Sequence, residues 1–145
     1  MLISALSELT RAKLMVIDEQ DTVRTAAEAF SDPALGLIVA CSVGGRAHGV
    51  ISKSDLVRHL ARAGRIDTPI AEVMTRTVVC GSLADDLHGT WQLMVRRRLQ
   101  NLPLVDGDRK PVGMLDIRDA LEAILRAEER QEEQLVNYIA GNGYR

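Results

Sequence analysis

The stretch HGVISKSDL at residues 48–56 is followed 64 positions later by VGMLDIRDA at 112–120. Both read as glycine, two large apolar residues, a polar side chain, and an aspartate three residues beyond it. A short apolar run that ends in a polar residue and then an acid predicts a strand leading into the N-terminus of a helix. The same offset of 64 carries outward in both directions without a gap. Leu6 falls on Ile70, Leu14 on Val78, Asp21 on Asp85, Val23 on Leu87, Phe30 on Met94 and Ile38 on Leu102. Few pairs are identical, but apolar positions keep meeting apolar ones. That pattern predicts two copies of one supersecondary unit.

Each copy has one coarse reading. An opening helix (about 4–11 and 69–75) precedes a brief strand (14–17 and 77–80), and Asp21 and Asp85 are expected to cap helices at about 22–30 and 86–98. Strands at about 36–42 with 47–52, and 101–105 with 111–115, enclose turns containing Gly44-Gly45 and Asp106-Gly107. A helix from near Ser54 or Ile117 closes each unit, and AGRIDTP at 63–69 links them, with Gly64 as a helix stop. The fold class is therefore α+β: repeats at 1–64 and 65–127, then a helical extension at 128–145. About 60 residues bury too little surface to be comfortable alone. Packing two units about a pseudo-two-fold axis would bury both apolar faces and leave clefts where they meet.

Composition narrows the function. The net charge of −2 provides no footprint for nucleic acid or an anionic membrane. The start, MLISALSEL, is not patterned as a signal peptide, and the apolar run Leu37–Cys41 is too short to span a bilayer. Cys41 and Cys80 lack CxxC spacing and read as unpaired apolar side chains in a reducing, cytoplasmic setting. Phe30, Trp91, Tyr138 and Tyr144 are the whole aromatic set, so a planar ligand would rest on aliphatic side chains and backbone.

At this point the chain resembles a known family. GVISKSDL and GMLDIRDAL resemble the closing motif of the cystathionine-β-synthase (CBS) domain, glycine–apolar–apolar–Ser/Thr–x–x–Asp. IAEVMTRTVV resembles the family's opening helix and first strand, and NLPLVDGDRKPVG its middle hairpin. The resemblance spans residues 1 to about 127, and the tandem pair would form a Bateman module. It implies a regulatory role, with an adenosine-containing ligand (AMP, ADP, ATP, NAD or S-adenosylmethionine) in the clefts, no required cofactor and no catalysis. In the first repeat it implies Ser52 as the Ser/Thr member and Asp55 as the ribose acceptor, with adenine against Leu14, Met15 and the strand near Val39. In the second it implies Asp119 at the ribose, with Val78, Val79, Leu102 and Pro103 around the base. An aspartate accepts both hydroxyls of a ribose, and a helix N-terminus suits phosphate. Asp116 departs from the pattern by placing a carboxylate where phosphate would approach; Arg118 can neutralise it or clamp the phosphate itself. Unequal sites are expected, the first closer to the pattern.

Other readings of these residues are weaker. Asp55 and Asp119 also suit a first helical turn on electrostatic grounds alone. His48, Ser52 and Asp55 suggest a catalytic triad, but the second repeat has Val112, Asp116 and Asp119 at those positions. Asp85, Asp86 and His88 read as a cap with first-turn acids rather than a metal site, and Arg96–Arg98 as a solvated helix end. The alternative function is a structural dimerisation module with vestigial ligand sites. From Ile117 to Ala140 one long helix is expected, with Leu121, Ile124 and Leu125 on the core stripe and Gly141 as its stop. Leu135, Val136 and Ile139 form a late apolar patch that needs cover. Family members pair into flat dimers, so a homodimer with a contribution from the tail is expected, acting on an unidentified protein partner.

Overall fold

The computed structural model describes residues 1–142 and has the α+β, doubled architecture read from the repeat. The first half contains α1 (Ser7–Ala12), β1 (Val16–Asp18), α2 (Val23–Ala29), β2 (Ile38–Cys41), β3 (Ala47–Ile51) and α3 (Lys53–Ala61). The second contains α4 (Leu87–Arg97), β4 (Asn101–Val105), β5 (Pro111–Asp116) and α5 (Ile117–Asn142). One sheet has strand order β1-β2-β3, with β1 parallel and β3 antiparallel to β2; the other is the antiparallel pair β4-β5. Ile38 stands opposite Ile51, and Leu102 opposite Leu115, so the repeat preserves strand register as well as composition.

The glycines of the repeated motif mark where the halves interlock. A Cβ on Gly49 would stand 2.8 Å from the Thr75 carbonyl oxygen and 2.7 Å from Met74 Sδ. A Cβ on Gly113 would stand 2.8 Å from Thr10 Oγ1. Thr10 and Met74 are themselves one repeat apart, so each strand is pared to backbone where the other half's opening segment crosses it. The exchange is reciprocal. Ile70 and Met74 complete the core of Ile17, Val23, Ala26, Phe30, Ile38 and Ile51, while Ile3 completes that of Leu87, Met94, Leu102, Leu104 and Leu115. Backbone bonds hold the exchange: Ile70 N–H donates to Asp21 O and Ile3 N–H to Asp85 O. Val39, Cys41, Ala47 and Met114 form a third cluster that joins the two sheets.

Several local expectations shift. The opening helix of the second repeat shrinks to a 3-10 turn at Ile70–Glu72, and a 3-10 turn at Ile3–Leu6 precedes α1. No regular strand forms at 77–80: the segment meets β4 only through the parallel bridge of Gly81 with Leu104. Caps lie one residue later than expected, because Thr22 and Asp86 accept from Thr25 N–H and Gly89 N–H while Asp85 accepts from Ser82 N–H. In the first hairpin Gly45 takes the left-handed conformation (φ +81°) that the turn demands. In the second it is Arg109, one repeat on from Gly45, that does so, and there the Asp106 carboxylate accepts from Asp108 N–H and Lys110 N–H. Ala63, not Gly64, is the left-handed residue after α3.

Helix α5 does not stop at Gly141 but runs through it to Asn142. Its core stripe is Ile117, Ala120, Ala123 and Ile124; Leu121 and Leu125 lie on the flank, 38% and 49% exposed. Leu135, Val136, Tyr138 and Ile139 are also exposed, so the last turns carry an uncovered apolar face. Residues 143–145 of the expected extension lie outside the described residues.

Candidate ligand-binding site

Two clefts open between the repeats. The larger, about 710 Å³, has Ser52, Lys53, Ser54 and Asp55 at the head of α3 as its floor. Thr75, Thr77, Val78, Val79 and Pro103 from the other repeat line it, together with Arg98 and Arg118. The smaller, about 390 Å³, is lined by Lys13, Leu14, Met15, Asp32, Met114, Asp116 and Arg118. The segment Pro33–Leu37 and Asn101 border both. That segment is free because α2 ends early: Pro33 disfavours helix in the residue before it, whereas α4 continues to Arg97, the equivalent position.

The floor of the first cleft is a capping box. Ser52 Oγ accepts from Asp55 N–H, and Asp55 Oδ2 accepts from Ser52 N–H at 2.9 Å and from Ser52 Oγ–H at 3.0 Å. Asp55 Oδ1 accepts from Arg58 Nη2 at 2.7 Å and from Thr75 Oγ1 at 3.4 Å. Asp55 is 6% exposed, while the Arg58 side chain is 62% exposed. The carboxylate is therefore anchored by its own helix on one oxygen and reaches solvent-facing donors with the other. By helix geometry the N–H groups of Lys53 and Ser54 have no acceptor within α3. The cleft thus presents a fixed acceptor, free amides and the cations Lys53, Arg98 and Arg118, the last paired with Asp116, which also lines it, with Val78, Val79 and Pro103 as apolar walls.

The second cleft has the same frame, but its floor is held by ion pairs. Asp116, at the Ser52 position, accepts from Arg118 N–H, Nε and Nη2 at 2.8, 3.2 and 2.8 Å. Burial pushes the Asp116 carboxyl up, but its bonds to Arg118 and the nearby Lys13 ammonium outweigh this and hold it below the ordinary range. Lys13 Nζ stands 2.5 Å from Asp119 Oδ2 and 3.5 Å from Asp116 Oδ2, and the bond to Asp119 drives its pKa above the usual lysine value. Asp119 lines neither inter-repeat cleft; it sits beside a shallow groove between α1 and α5.

The structure brings most of the expected site residues together but exchanges their pairing. Val78 and Val79 lie in the cleft of Ser52 and Asp55, while Leu14 and Met15 lie in that of Asp116. Because the opening segments cross between halves, each delivers its following strand to the opposite motif. Val39 and Leu102 are corrections of another kind: both are core residues, 0% and 1% exposed, and line neither cleft. In β4 the even positions face the core, leaving Pro103 toward the cleft. Thr75 and Thr77 were not anticipated as site residues; neither belongs to the closing motif, nor do Lys13 and Arg98, and Lys13 lies over a hundred positions from the acids it meets. Among the other candidates, the His48 ring bonds Glu19 Oε2 at 3.0 Å rather than Ser52. Asp86 caps α4, and His88 packs against Trp91 with ring centroids 6.0 Å apart. No helix among the described residues is long and apolar enough to cross a membrane.

The reciprocal exchange, the paired clefts and the acid at the head of α3 define a tandem-repeat protein with its clefts where the two repeats meet. The CBS-domain family model matches residues 6–62 and 70–126, and the chain belongs to that family. An uncharacterized 17.7 kDa protein of Acidianus ambivalens is 24% identical over 137 residues, 94% of this chain and 83% of its own length. Arabinose 5-phosphate isomerase GutQ of Escherichia coli is 30% identical over 97 residues, 65% of this chain but only 29% of that enzyme. Among solved structures, a CBS-domain pair in complex with 5′-methylthioadenosine and S-adenosyl-L-methionine superposes with a TM-score of 0.71 at 17% identity, covering 88% of this chain and 98% of that one. The protein CBSX2 in complex with AMP gives 0.71 at 19% identity, covering 85% and 97%. At these identities the likeness is one of fold.

Proposed function

We propose that this chain is a regulatory module that binds an adenosine-containing ligand in the first cleft. Asp55 would accept the ribose hydroxyls, taking the place of Arg58 and Thr75 on Oδ1. The base would lie between Val78, Val79 and Pro103, and a phosphate would approach the head of α3 near Lys53, Arg98 and Arg118. The single observation that carries this reading is the buried Asp55 carboxylate on the floor of a cleft of about 710 Å³, with walls from both repeats. Such a volume lies within the usual range for small-molecule sites. The family, and neighbours whose structures hold AMP or S-adenosyl-L-methionine, support the same ligand class. AMP, ADP, ATP, NAD and S-adenosylmethionine all belong to that class, and no chemistry is asked of the site. Occupancy can regulate a partner only through different affinities for two states, and a ligand that touches both repeats can favour one arrangement of them. The test is thermal denaturation with that panel: a ligand at a hundredfold its dissociation constant adds about 2.7 kcal/mol of stability. A melting temperature unmoved by every compound would leave the structural-module reading in its place.

The exposed face of Leu135, Val136 and Ile139 supports a homodimer in which α5 contributes to the interface. Sedimentation at micromolar concentration should give twice the chain mass of 15.9 kDa. A single-chain mass would refute the dimer without touching the ligand site.

A further inference from the structure

The geometry points to Lys13 as the residue that closes the second cleft to nucleosides, so that one chain binds one ligand. This inference rests on the proposed reading of the first cleft. The two floors differ most in what stands on the motif aspartate. In the first cleft the charged partner of Asp55 is Arg58 of its own helix, a side chain 62% exposed that water can solvate when a ribose displaces it. One repeat later the Arg58 position is Glu122, which is engaged with Arg126 at 2.7 Å and carries the wrong charge to serve Asp119.

Lys13 fills that role from the opposite repeat. Its equivalent in the first cleft is Thr77, a neutral hydroxyl residue on the wall. Lys13 instead reaches Asp119 at 2.5 Å and Asp116 at 3.5 Å. The two acids are only 18% and 8% exposed. Displacing the ammonium would leave Asp116 with Arg118 alone and strip Asp119 of its cation, and a pair of neutral ribose hydroxyls does not replace a cation. The ammonium thus occupies the carboxylate that the ribose would need, standing in the cleft lining where Asp119 does not, and it holds α1 against α5 as it does so. The closure is a property of this pairing and not of the fold, since Thr77 at the same position leaves the first cleft open.

Adenosine is the probe of choice, because it carries base and ribose but no phosphate and so leaves the charge of Asp116 out of the comparison. Titration calorimetry of the full chain should saturate at one adenosine per chain. Lys13→Thr, which copies the first cleft, and Lys13→Gln, which keeps the length without the charge, should each saturate at two. Adding Asp55→Ala to Lys13→Thr should weaken the first equivalent at least tenfold and leave the second unchanged. Two equivalents in the unaltered chain, or one in both Lys13 variants, would overturn the role of Lys13 while leaving the first site standing. No binding to any form would bring down both readings together.

Discussion

The two halves share one backbone plan and differ in the side chains that face their clefts. Ser52, Thr75 and Thr77 line the first cleft with neutral hydroxyls; Asp116 and Lys13 stand at the Ser52 and Thr77 places in the second. Charges in place of those two hydroxyls give a floor satisfied internally by ion pairs. Packing tells the reverse story, because the cores remain equivalent down to the isoleucine each borrows from its neighbour. The halves agree in what holds the fold together and differ in what faces the cleft.

The sharpest way to break the equivalence of the cores is to truncate the borrowed side chains. Ile3→Ala and Ile70→Ala should each cost about 2–5 kcal/mol, since both are completely buried. Urea denaturation checks this, and a cost below about 1 kcal/mol for either, too small for a well-packed buried side chain, would break the reciprocity. The inequality of the clefts is next. Asp55→Ala should weaken nucleotide binding by about 1.5–3 kcal/mol, roughly 10- to 150-fold, and Asp119→Ala should leave it nearly unchanged. Equal losses in a binding titration would erase the distinction.

Helix caps provide a smaller contrast. The Asp86 bond to Gly89 N–H is 2.8 Å, whereas Thr22 accepts from Thr25 N–H at 3.4 Å. Asp86→Ala should therefore cost more than Thr22→Ala on a typical scale of about 1 kcal/mol, a difference readable from melting temperatures. The smallest effect is acidic. Because the folded Asp116 carboxyl is held below its ordinary value, the stability it contributes is complete above about pH 4 and is lost as pH falls through the lowered value. Asp116→Asn should lessen the loss of stability as pH falls below about 4, and Ser52→Ala should not. Urea midpoints across that range would show it.

The doubled plan was legible because strand alternation, turn residues and the offset of 64 all agree over most of the chain. Ser52 and Asp55 were legible as a pair because the capping box that seats them is local, three residues from donor to acceptor. The crossing of the opening segments was not. Apolar periodicity tells which face of Ile70 is buried, but not whose sheet will cover it, so Val78 and Leu14 were placed in each other's clefts. Val39 failed for a related reason. All four residues of β2 are buried, so the strand has no exposed alternation to distinguish a cleft wall from the interior. Lys13 was hidden by distance, since its partners come together only after both halves have docked.

The borrowed isoleucines also set an order of events during synthesis. The half made first cannot fill its interior until Ile70 and Met74 have left the ribosome, whereas Ile3 is already waiting when the later strands emerge. A nascent chain halted at the linker would hold an unfilled hollow beside Phe30 and Ile38, and severing the finished protein there would strip both pieces of a side chain neither can supply for itself.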